Sequence, residues 1–88
     1  MLEPIYQRQF KKDILSFQKR GKDVNKLKVI IGFLLEETPL PLKNHNHKLK
    51  GEFKNCWECN VEPDWLLIYK KTKTEIILIR TGAHAELF

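Results

Sequence analysis

The chain has 88 residues, of which 42% are hydrophobic, and this size and composition predict one domain, residues 1–88, with a modest core. Its 16 Lys and Arg residues against 11 Asp and Glu residues give a net charge of +5, which favours a polyanion or an acidic protein as partner. No apolar run approaches the roughly 20 residues of a membrane span, so no membrane association is expected. The start of the chain shows no secretory signal pattern, and the expected location is therefore cytoplasmic.

The first part of the chain predicts a short strand and then an amphipathic helix. Residues 2–6 form the strand, and Pro4 confines it to an edge or an early position because proline cannot donate to a neighbouring strand. Apolar side chains then recur at helical spacing at Phe10, Ile14 and Phe17, with charged and polar residues, Asp13 among them, in between. Gly21 is a suitable residue just past the end of this helix.

A second helix is predicted to follow, with Asp23 as its N-cap. Its apolar stripe consists of Val24, Leu27, Ile31, Leu34 and Leu35. Residues 36–41 end it, because Pro39 and Pro41 each keep the preceding residue out of helical conformation. Two helices joined by a few residues predict an antiparallel helical hairpin.

The rest of the chain predicts an antiparallel meander. Residues 42–50 are polar and rich in histidine, which is typical of a loop. The predicted strands are one beginning at Phe53, then residues 57–61, 65–69 and 75–81, joined by a turn at Pro63 and Asp64 and a loop at residues 70–74. The expected fold class is α+β, an antiparallel sheet of four to five strands with the helical hairpin packed on one face.

The cysteines Cys56 and Cys59 raise the question of a metal site, which His45 and His47 could complete as a four-ligand set. On a strand, however, residues three apart point to opposite faces and cannot coordinate the same ion. We therefore expect reduced cysteines that pack in the interior, and no metal or other cofactor.

The carboxyl-terminal stretch carries a candidate phosphate site. Arg80 stands at the end of an apolar strand, Gly82 supplies a bend, and His84 follows on a short turn. Arginine can hold phosphate oxygens bidentately, and histidine can transfer a proton near neutral pH. The alternative is that Arg80 pairs with a surface carboxylate and His84 merely caps an exposed end.

Several segments together resemble one toxin family. They are Lys19-Arg20-Gly21-Lys22-Asp23, Asn25-Lys26-Leu27-Lys28, Leu49-Lys50-Gly51, Val61-Glu62-Pro63-Asp64-Trp65-Leu66-Leu67-Ile68-Tyr69-Lys70 and Arg80-Thr81-Gly82-Ala83-His84-Ala85-Glu86-Leu87-Phe88. In this order they are similar to the YafQ branch of the RelE/ParE toxin superfamily, along essentially the whole chain.

This resemblance implies a type II toxin, an endoribonuclease that enters the ribosomal A site and cuts messenger RNA without a metal. The 2′-hydroxyl would attack the neighbouring phosphorus and leave a 2′,3′-cyclic phosphate and a free 5′-hydroxyl. The implied partners are messenger RNA, the ribosome and a cognate antitoxin, through which a toxin–antitoxin hetero-oligomer could bind operator DNA.

The resemblance also implies four catalytic residues. His84 matches the family's general acid, and Arg80 matches its phosphate-binding arginine. His47 matches an active-site histidine, and Asp64 matches an aspartate that acts as a base or orients a histidine. Without the resemblance, His47 is simply a solvated loop residue and Asp64 a turn former.

A further set is expected to contact the substrate, namely Lys50, Glu58, Asn60, Trp65 and Phe88. Phe88 matches a terminal aromatic residue of the family, although it could instead plug the sheet surface. Glu58 keeps an acidic position of the family and, on a strand, shares a face with Asn60.

Two positions depart from the family pattern. Trp57 stands where an arginine is usual, and Asn60 stands where a histidine is usual. Asparagine can hydrogen-bond RNA but cannot transfer a proton, so the general base is left open. A toxin-fold binding module with weak or no catalysis is one alternative. A gyrase inhibitor like the ParE branch is another, which the presence of Arg80 and His84 disfavours.

Overall fold

The computed structural model describes every residue from Met1 to Phe88 and is built on one five-stranded sheet. Its strands are β1 (Glu3–Tyr6), β2 (His47–Lys48), β3 (Trp57–Glu62), β4 (Trp65–Lys71) and β5 (Glu75–Gly82). Its helices are α1 (Arg8–Lys19), α2 (Val24–Leu35) and the single-turn α3 (His84–Leu87). The strand order across the sheet is β1-β5-β4-β3-β2.

The predicted helical hairpin is confirmed. Gly21 follows α1 with a φ of 81°, a left-handed conformation that glycine adopts without steric cost. Asp23 caps α2, because its side chain accepts a hydrogen bond of 3.0 Å from the backbone N–H of Asn25. The α+β class is therefore correct.

The sheet is mixed rather than purely antiparallel, which corrects part of the prediction. Strands β2 to β5 pair antiparallel, as expected of a meander. Strand β1, however, runs parallel to β5, with Pro4 opposite Ile76. A parallel pair requires a long crossover, and here the two long helices and the rest of the sheet lie between the two strands. The edge position expected from Pro4 is confirmed.

The first short strand of the meander lies earlier than predicted. The prediction of a strand beginning at Phe53 is wrong, because Gly51–Phe53 forms a 3-10 turn. Gly51 and Asn55 both have positive φ angles, 73° and 70°, which bend the chain on either side of Phe53. The strand is instead His47–Lys48, inside the segment predicted to be a loop, where it pairs with β3.

The sheet separates two apolar cores. The larger core lies under α1 and α2 and includes Phe10, Phe17, Leu27, Ile31, Cys59, Trp65, Leu67 and Leu78. The smaller core contains Cys56, Leu66, Ile68 and Leu87, flanked by Leu49, Phe53 and Ile79. Leu87 belongs to α3, so α3 covers part of the sheet face opposite the long helices. We call this surface the α3 face.

Both cysteines are reduced and buried, and each belongs to a different core. Their side chains therefore lie on opposite faces of the sheet, as the strand period predicted. Burial raises the pKa of the Cys59 thiol to about 12, so this thiol stays neutral.

None of the helices combines the length and the apolar composition that crossing a membrane would require.

Candidate active site

A row of side chains crosses the sheet on the α3 face. His47 of β2 pairs in register with Glu58 of β3, and Glu58 pairs with Ile68 of β4. Ile68 in turn pairs with Arg80 of β5. Side chains in register point to the same face, and with a strand spacing of about 4.8 Å the backbones of His47 and Arg80 lie about 14 Å apart. Ile68 is fully buried and forms the floor between the polar groups.

His47 and Glu58 lie side by side at one end of the row. The Nε2 atom of His47 lies 3.3 Å from Oε1 of Glu58, and Nδ1 lies 2.6 Å from the carbonyl oxygen of His45. Both ring nitrogens thus lie within hydrogen-bonding distance of an oxygen atom. The His47 side chain is half exposed, whereas that of Glu58 is only 10% exposed. The structure thus joins two residues that the sequence analysis assigned separately.

Arg80 is held at the other end of the row by a buried carboxylate. Its Nε donates to Oδ2 of Asp13 at 2.9 Å, and its Nη2 donates to Oδ1 at 3.1 Å. Asp13 lies on α1, which packs along β5 where β1 has ended. The hydrogen bonds to Asp13 raise the pKa of the Arg80 guanidinium. The expected surface carboxylate is therefore a buried one, and 28% of the Arg80 side chain remains exposed.

His84 begins α3, and two carboxylates hold the backbone of this turn. The N–H of His84 donates to Oδ1 of Asp64 at 3.3 Å. The N–H of Ala83 donates to Oε1 of Glu86 at 2.9 Å, and the same oxygen accepts a bond of 2.9 Å from Nη2 of Arg20. The Ala83 N–H, and then Arg20, lower the pKa of Glu86. The imidazole of His84 itself is exposed.

Apolar contacts fix α3 against the sheet. Leu87 inserts into the smaller core, and it lies so close to Gly82 that a Cβ at that glycine would come within 3.3 Å of the Leu87 side chain. Phe88 packs edge-on against Phe53 at 5.6 Å and beside the His84 ring at 5.1 Å. More than half of Phe88 remains exposed, so it lines the surface next to His84.

Trp65 lies in the interior, and its side chain does not reach the surface where a substrate contact was predicted. Its side chain is 1% exposed and packs against Phe17 at 5.1 Å. Its indole N–H donates to Oγ1 of Thr81 at 2.8 Å, and Thr81 donates to the carbonyl of Leu66 at 2.7 Å. The role of Trp65 is to hold the end of β5, and buried indoles usually need such a partner.

The other predicted contacts border the row. Asn60 pairs with Leu66, and its side-chain amide donates to the carbonyl of Pro63 at 3.3 Å. Lys50 is exposed and free of ion pairs. Trp57 instead packs against the larger core, with Nζ of Lys48 5.5 Å from its ring. Trp57 therefore lies on the other side of the sheet from the α3 face and does not replace the family's usual arginine there.

Comparison with known proteins assigns the chain to a family. The family model described as "Bacterial toxin of type II toxin-antitoxin system, YafQ" matches residues 2–88. The chain belongs to the YafQ toxin family. The Escherichia coli K12 protein described as "mRNA interferase toxin YafQ" is 46% identical over 84 residues, which cover 94% of this chain and 91% of that protein.

Solved structures of bacterial toxins share the fold. YafQ in the Escherichia coli DinJ–YafQ toxin–antitoxin complex superposes with a TM-score of 0.92 and 44% identity, covering 99% of this chain and 97% of that one. A toxin from Helicobacter pylori, solved in a metal-bound form, superposes with a TM-score of 0.94 and 39% identity over 100% of both chains.

The residues of this YafQ-family chain do not fit a resident metal ion. No group of three or more His, Cys, Asp or Glu side chains comes together anywhere in the structure. His47 and Glu58 supply at most two ligands, and Asn60, on the same face, offers only a neutral amide. We therefore derive no chemical step through a metal.

Several groups that organise this YafQ-family site were missed from the sequence. They are Asp13, Arg20, Phe53 and Glu86. For Asp13 a signal existed, because it lies three residues after Phe10 and four before Phe17, on the apolar stripe of α1. A carboxylate at such a position needs a buried partner. Arg20 and Glu86 are 66 residues apart, and no local pattern connects them.

Proposed function

We propose that this protein is a type II toxin that cuts messenger RNA on the ribosome and is neutralised by a cognate antitoxin. Membership of the YafQ family supports this function, as do the Escherichia coli relative described as an mRNA interferase and the DinJ–YafQ complex. We assign it to residues 1–88 as one domain. Because ribosomes are its target, we propose a cytoplasmic location.

The observation that carries the proposal is the arrangement of charges on the α3 face. A histidine–carboxylate pair, His47 with Glu58, and the partly exposed cation of Arg80 lie in one row across an open surface. His84 stands beyond the end of β5 on α3. A proton acceptor, a cation and a proton donor on an open face suit a polymer that passes along the surface, rather than a small molecule enclosed in a cavity.

The reaction we assign is an internal transfer of the phosphate ester. The 2′-oxygen of one nucleotide forms a bond to the adjacent phosphorus while its proton passes to a base. The bond from phosphorus to the 5′-oxygen of the next nucleotide then breaks, and this oxygen takes a proton from an acid. The products are a 2′,3′-cyclic phosphate and a free 5′-hydroxyl, so the protons balance without any co-reactant.

We assign the base to the pair of His47 and Glu58. Nε2 of His47 and Oε1 of Glu58 lie 3.3 Å apart, so either the imidazole or the carboxylate of this pair can accept the proton. An imidazole that carries the proton would then stabilise nearby phosphate charge.

We assign charge stabilisation to Arg80 and the proton for the leaving oxygen to His84. The guanidinium keeps free N–H groups besides those bonded to Asp13. Phe88 offers an aromatic face beside His84 for a base to stack on. Asp64 acts by holding the backbone of His84 and not as a base.

Lys50 and Asn60 complete the proposed substrate contacts. The exposed ammonium of Lys50 would attract the phosphate backbone, a contact independent of sequence. The amide of Asn60 would hydrogen-bond an RNA oxygen or base edge in place of the usual histidine. The antitoxin would bring the toxin to operator DNA as a hetero-oligomer.

Controlled expression in growing bacteria tests the function. Growth arrest together with new messenger RNA ends inside translated regions supports the toxin, and co-expression of the antitoxin should abolish both. Arrest without new RNA ends, or with inhibited gyrase, would instead support the ParE-like alternative. Antitoxin binding with neither growth arrest nor cleavage would support a binding module, the alternative suggested by Asn60 in place of the usual histidine.

A further inference from the structure

Asp13 is the most completely bonded side-chain carboxylate in the molecule. It lies on α1, the helix that packs on the face of the sheet opposite the α3 face. Only 10% of its side chain is exposed. Its Oδ1 accepts hydrogen bonds from Nε2 of Gln9 and Nη2 of Arg80, both at 3.1 Å. Its Oδ2 accepts from Nε of Arg80 at 2.9 Å and from the backbone N–H of Thr81 at 3.1 Å. Each oxygen therefore binds two donors.

This geometry fixes the plane of the guanidinium group. Two parallel N–H···O bonds along one edge of Arg80 leave no freedom to rotate about the end of the side chain. The hydrogens on Nη1 and the second hydrogen on Nη2 remain free and point away from Asp13. The exposed part of Arg80 is therefore presented to phosphate in a single orientation.

The same carboxylate also fixes the backbone that carries Arg80. The N–H of Thr81 has no strand partner on this side of β5, because β1 pairs only as far as Leu78. Asp13 takes the place of that missing strand partner. A β-bulge between the pairs Tyr69–Leu78 and Ile68–Arg80 changes the direction of β5 just before Thr81.

We propose that Asp13 is a positioning residue for RNA cleavage, which fixes the Arg80 guanidinium in the orientation that binds the reacting phosphate. The inference rests on the proposed function. Asp13 itself touches no substrate, because Arg80 lies between it and the α3 face. Misplacement of a catalytic group by about 1 Å can cost about 100-fold in rate, so a loosened Arg80 should slow cleavage strongly.

A double-mutant experiment separates positioning from a purely structural role. Cleavage of ribosome-bound messenger RNA is measured under single-turnover conditions for Asp13→Asn, for Arg80→Ala and for the double variant. Asp13→Asn should lower the maximal rate by about 10-fold to 100-fold while changing half-saturation little. In the Arg80→Ala background the same change should alter the rate less than about twofold, because the group to be positioned is gone. Equal losses in both backgrounds would overturn the proposal.

The matched control is Glu37→Gln. Glu37 also pairs with a cation, Lys71 at 3.1 Å, and its substitution removes the same single negative charge far from Arg80. It should cleave like the unmodified protein. If Asp13→Asn fails to fold, Gln9→Ala provides a second variant, because it removes only the outer donor to Oδ1. This variant should cleave several-fold more slowly, and an unchanged rate would overturn the proposal.

Nuclear magnetic resonance of the Arg80 Nε–H group tests the inference even if no RNA is cut. The free protein should show one slowly exchanging Nε–H signal, which shifts and broadens in Asp13→Asn and stays unchanged in Glu37→Gln. An unchanged Arg80 signal in Asp13→Asn would refute the positioning role. Absence of cleavage by the unmodified protein, together with the expected signals, would instead refute the proposed function alone.

Discussion

The chemistry proposed at His84 depends on a side chain that contributes little to folding. Its imidazole is exposed and contacts mainly Phe88, whereas the turn that carries it is held by its backbone and by Glu86 and Leu87. Without an acid at this point, the leaving 5′-oxygen would depart as a strongly basic alkoxide. The function of this residue can therefore be separated from its structural role.

His84→Ala should lower the rate of cleavage by about 10²–10⁴-fold, the usual contribution of a positioned proton donor. The free energy of unfolding should change by about 0.5 kcal/mol or less, as is usual for exposed positions. Single-turnover cleavage and thermal melting measure the two quantities, with Ser16→Ala on the exposed side of α1 as control. Full cleavage by a folded His84→Ala protein would exclude this residue as the acid.

Asn60 is the residue at which the family's usual histidine can be restored. It stands two residues after Glu58 on the same strand, so a histidine here would face the same surface. Asn60→His removes only one long hydrogen bond, to Pro63, and should leave the melting temperature nearly unchanged. We expect faster cleavage, because a second imidazole adds a proton carrier. A fall in rate would show that Asn60 itself contacts the RNA.

At the scale of elements, the site is assembled from β2, β3, β5 and α3, and α3 is the least secured of them. It is a single turn, and an isolated turn is not stable without tertiary contacts. Leu87 anchors it in the smaller core, and Glu86 ties it to Arg20 of the turn after α1. The position of His84 therefore depends on these contacts.

Glu86→Gln should weaken α3 docking and lower cleavage without unfolding the protein. The pKa of Glu86 is lowered in the folded state from its ordinary 4.5, so its stabilising contribution is present above that value and is lost as the pH falls through the lowered pKa. Thermal melting should thus show a steeper acid-side decline for the unmodified protein than for Glu86→Gln. Glu52→Gln, an exposed carboxylate without an ion pair, serves as control. Identical pH profiles for Glu86→Gln and the unmodified protein would contradict this view of the turn.

The sequence predicted those elements whose signals are local. The stripe of α2, its Asp23 cap and the alternation of β3 each lie within a few residues, and the structure has all three. The parallel pairing of β1 with β5 was missed because it joins strands at opposite ends of the chain. The turn at Phe53 was missed because positive φ at Asn55 has no strict sequence signal.

The site was predictable only in part. Arg80 and His84 could be singled out from chemistry near the end of a strand, whereas His47 and Asp64 required the family resemblance. The residues that hold these side chains in place are brought next to them only by the packing of the fold. The position of Asp13 on the apolar stripe of α1 indicates a buried partner, but only the structure shows that this partner is Arg80. Trp65 lies next to a site residue in sequence, but its side chain points into the larger core.

At the scale of the whole molecule, the dominant feature is the net charge of +5. Four exposed lysines lie in or near β2, namely Lys43, Lys48, Lys50 and Lys54, and Lys48 extends over Trp57 on the opposite side of the sheet from the α3 face. Such a surface attracts the phosphates of RNA, and it equally attracts an acidic protein segment. An antitoxin that neutralises it would therefore compete directly with RNA.

The antitoxin should bind through an acidic segment that covers this lysine surface. Association should be fast at low ionic strength and slow as salt is added, because screening weakens attraction between exposed charges. Stopped-flow or surface-plasmon measurements over a range of salt concentrations test this, with the quadruple lysine-to-alanine variant for comparison. A basic antitoxin, or association indifferent to salt, would contradict this electrostatic account.

The chemistry of the new RNA ends tests the central claim most directly. Purified toxin cuts ribosome-bound messenger RNA, and both fragments are analysed by mass spectrometry. A metal chelator is added after the ribosomes have assembled, at a concentration that keeps them intact. Attack by the 2′-hydroxyl predicts a 2′,3′-cyclic phosphate on the upstream fragment and a free 5′-hydroxyl on the downstream one. A 5′-phosphate on the downstream fragment, or cyclic-phosphate ends formed equally fast by His84→Ala, would contradict the mechanism.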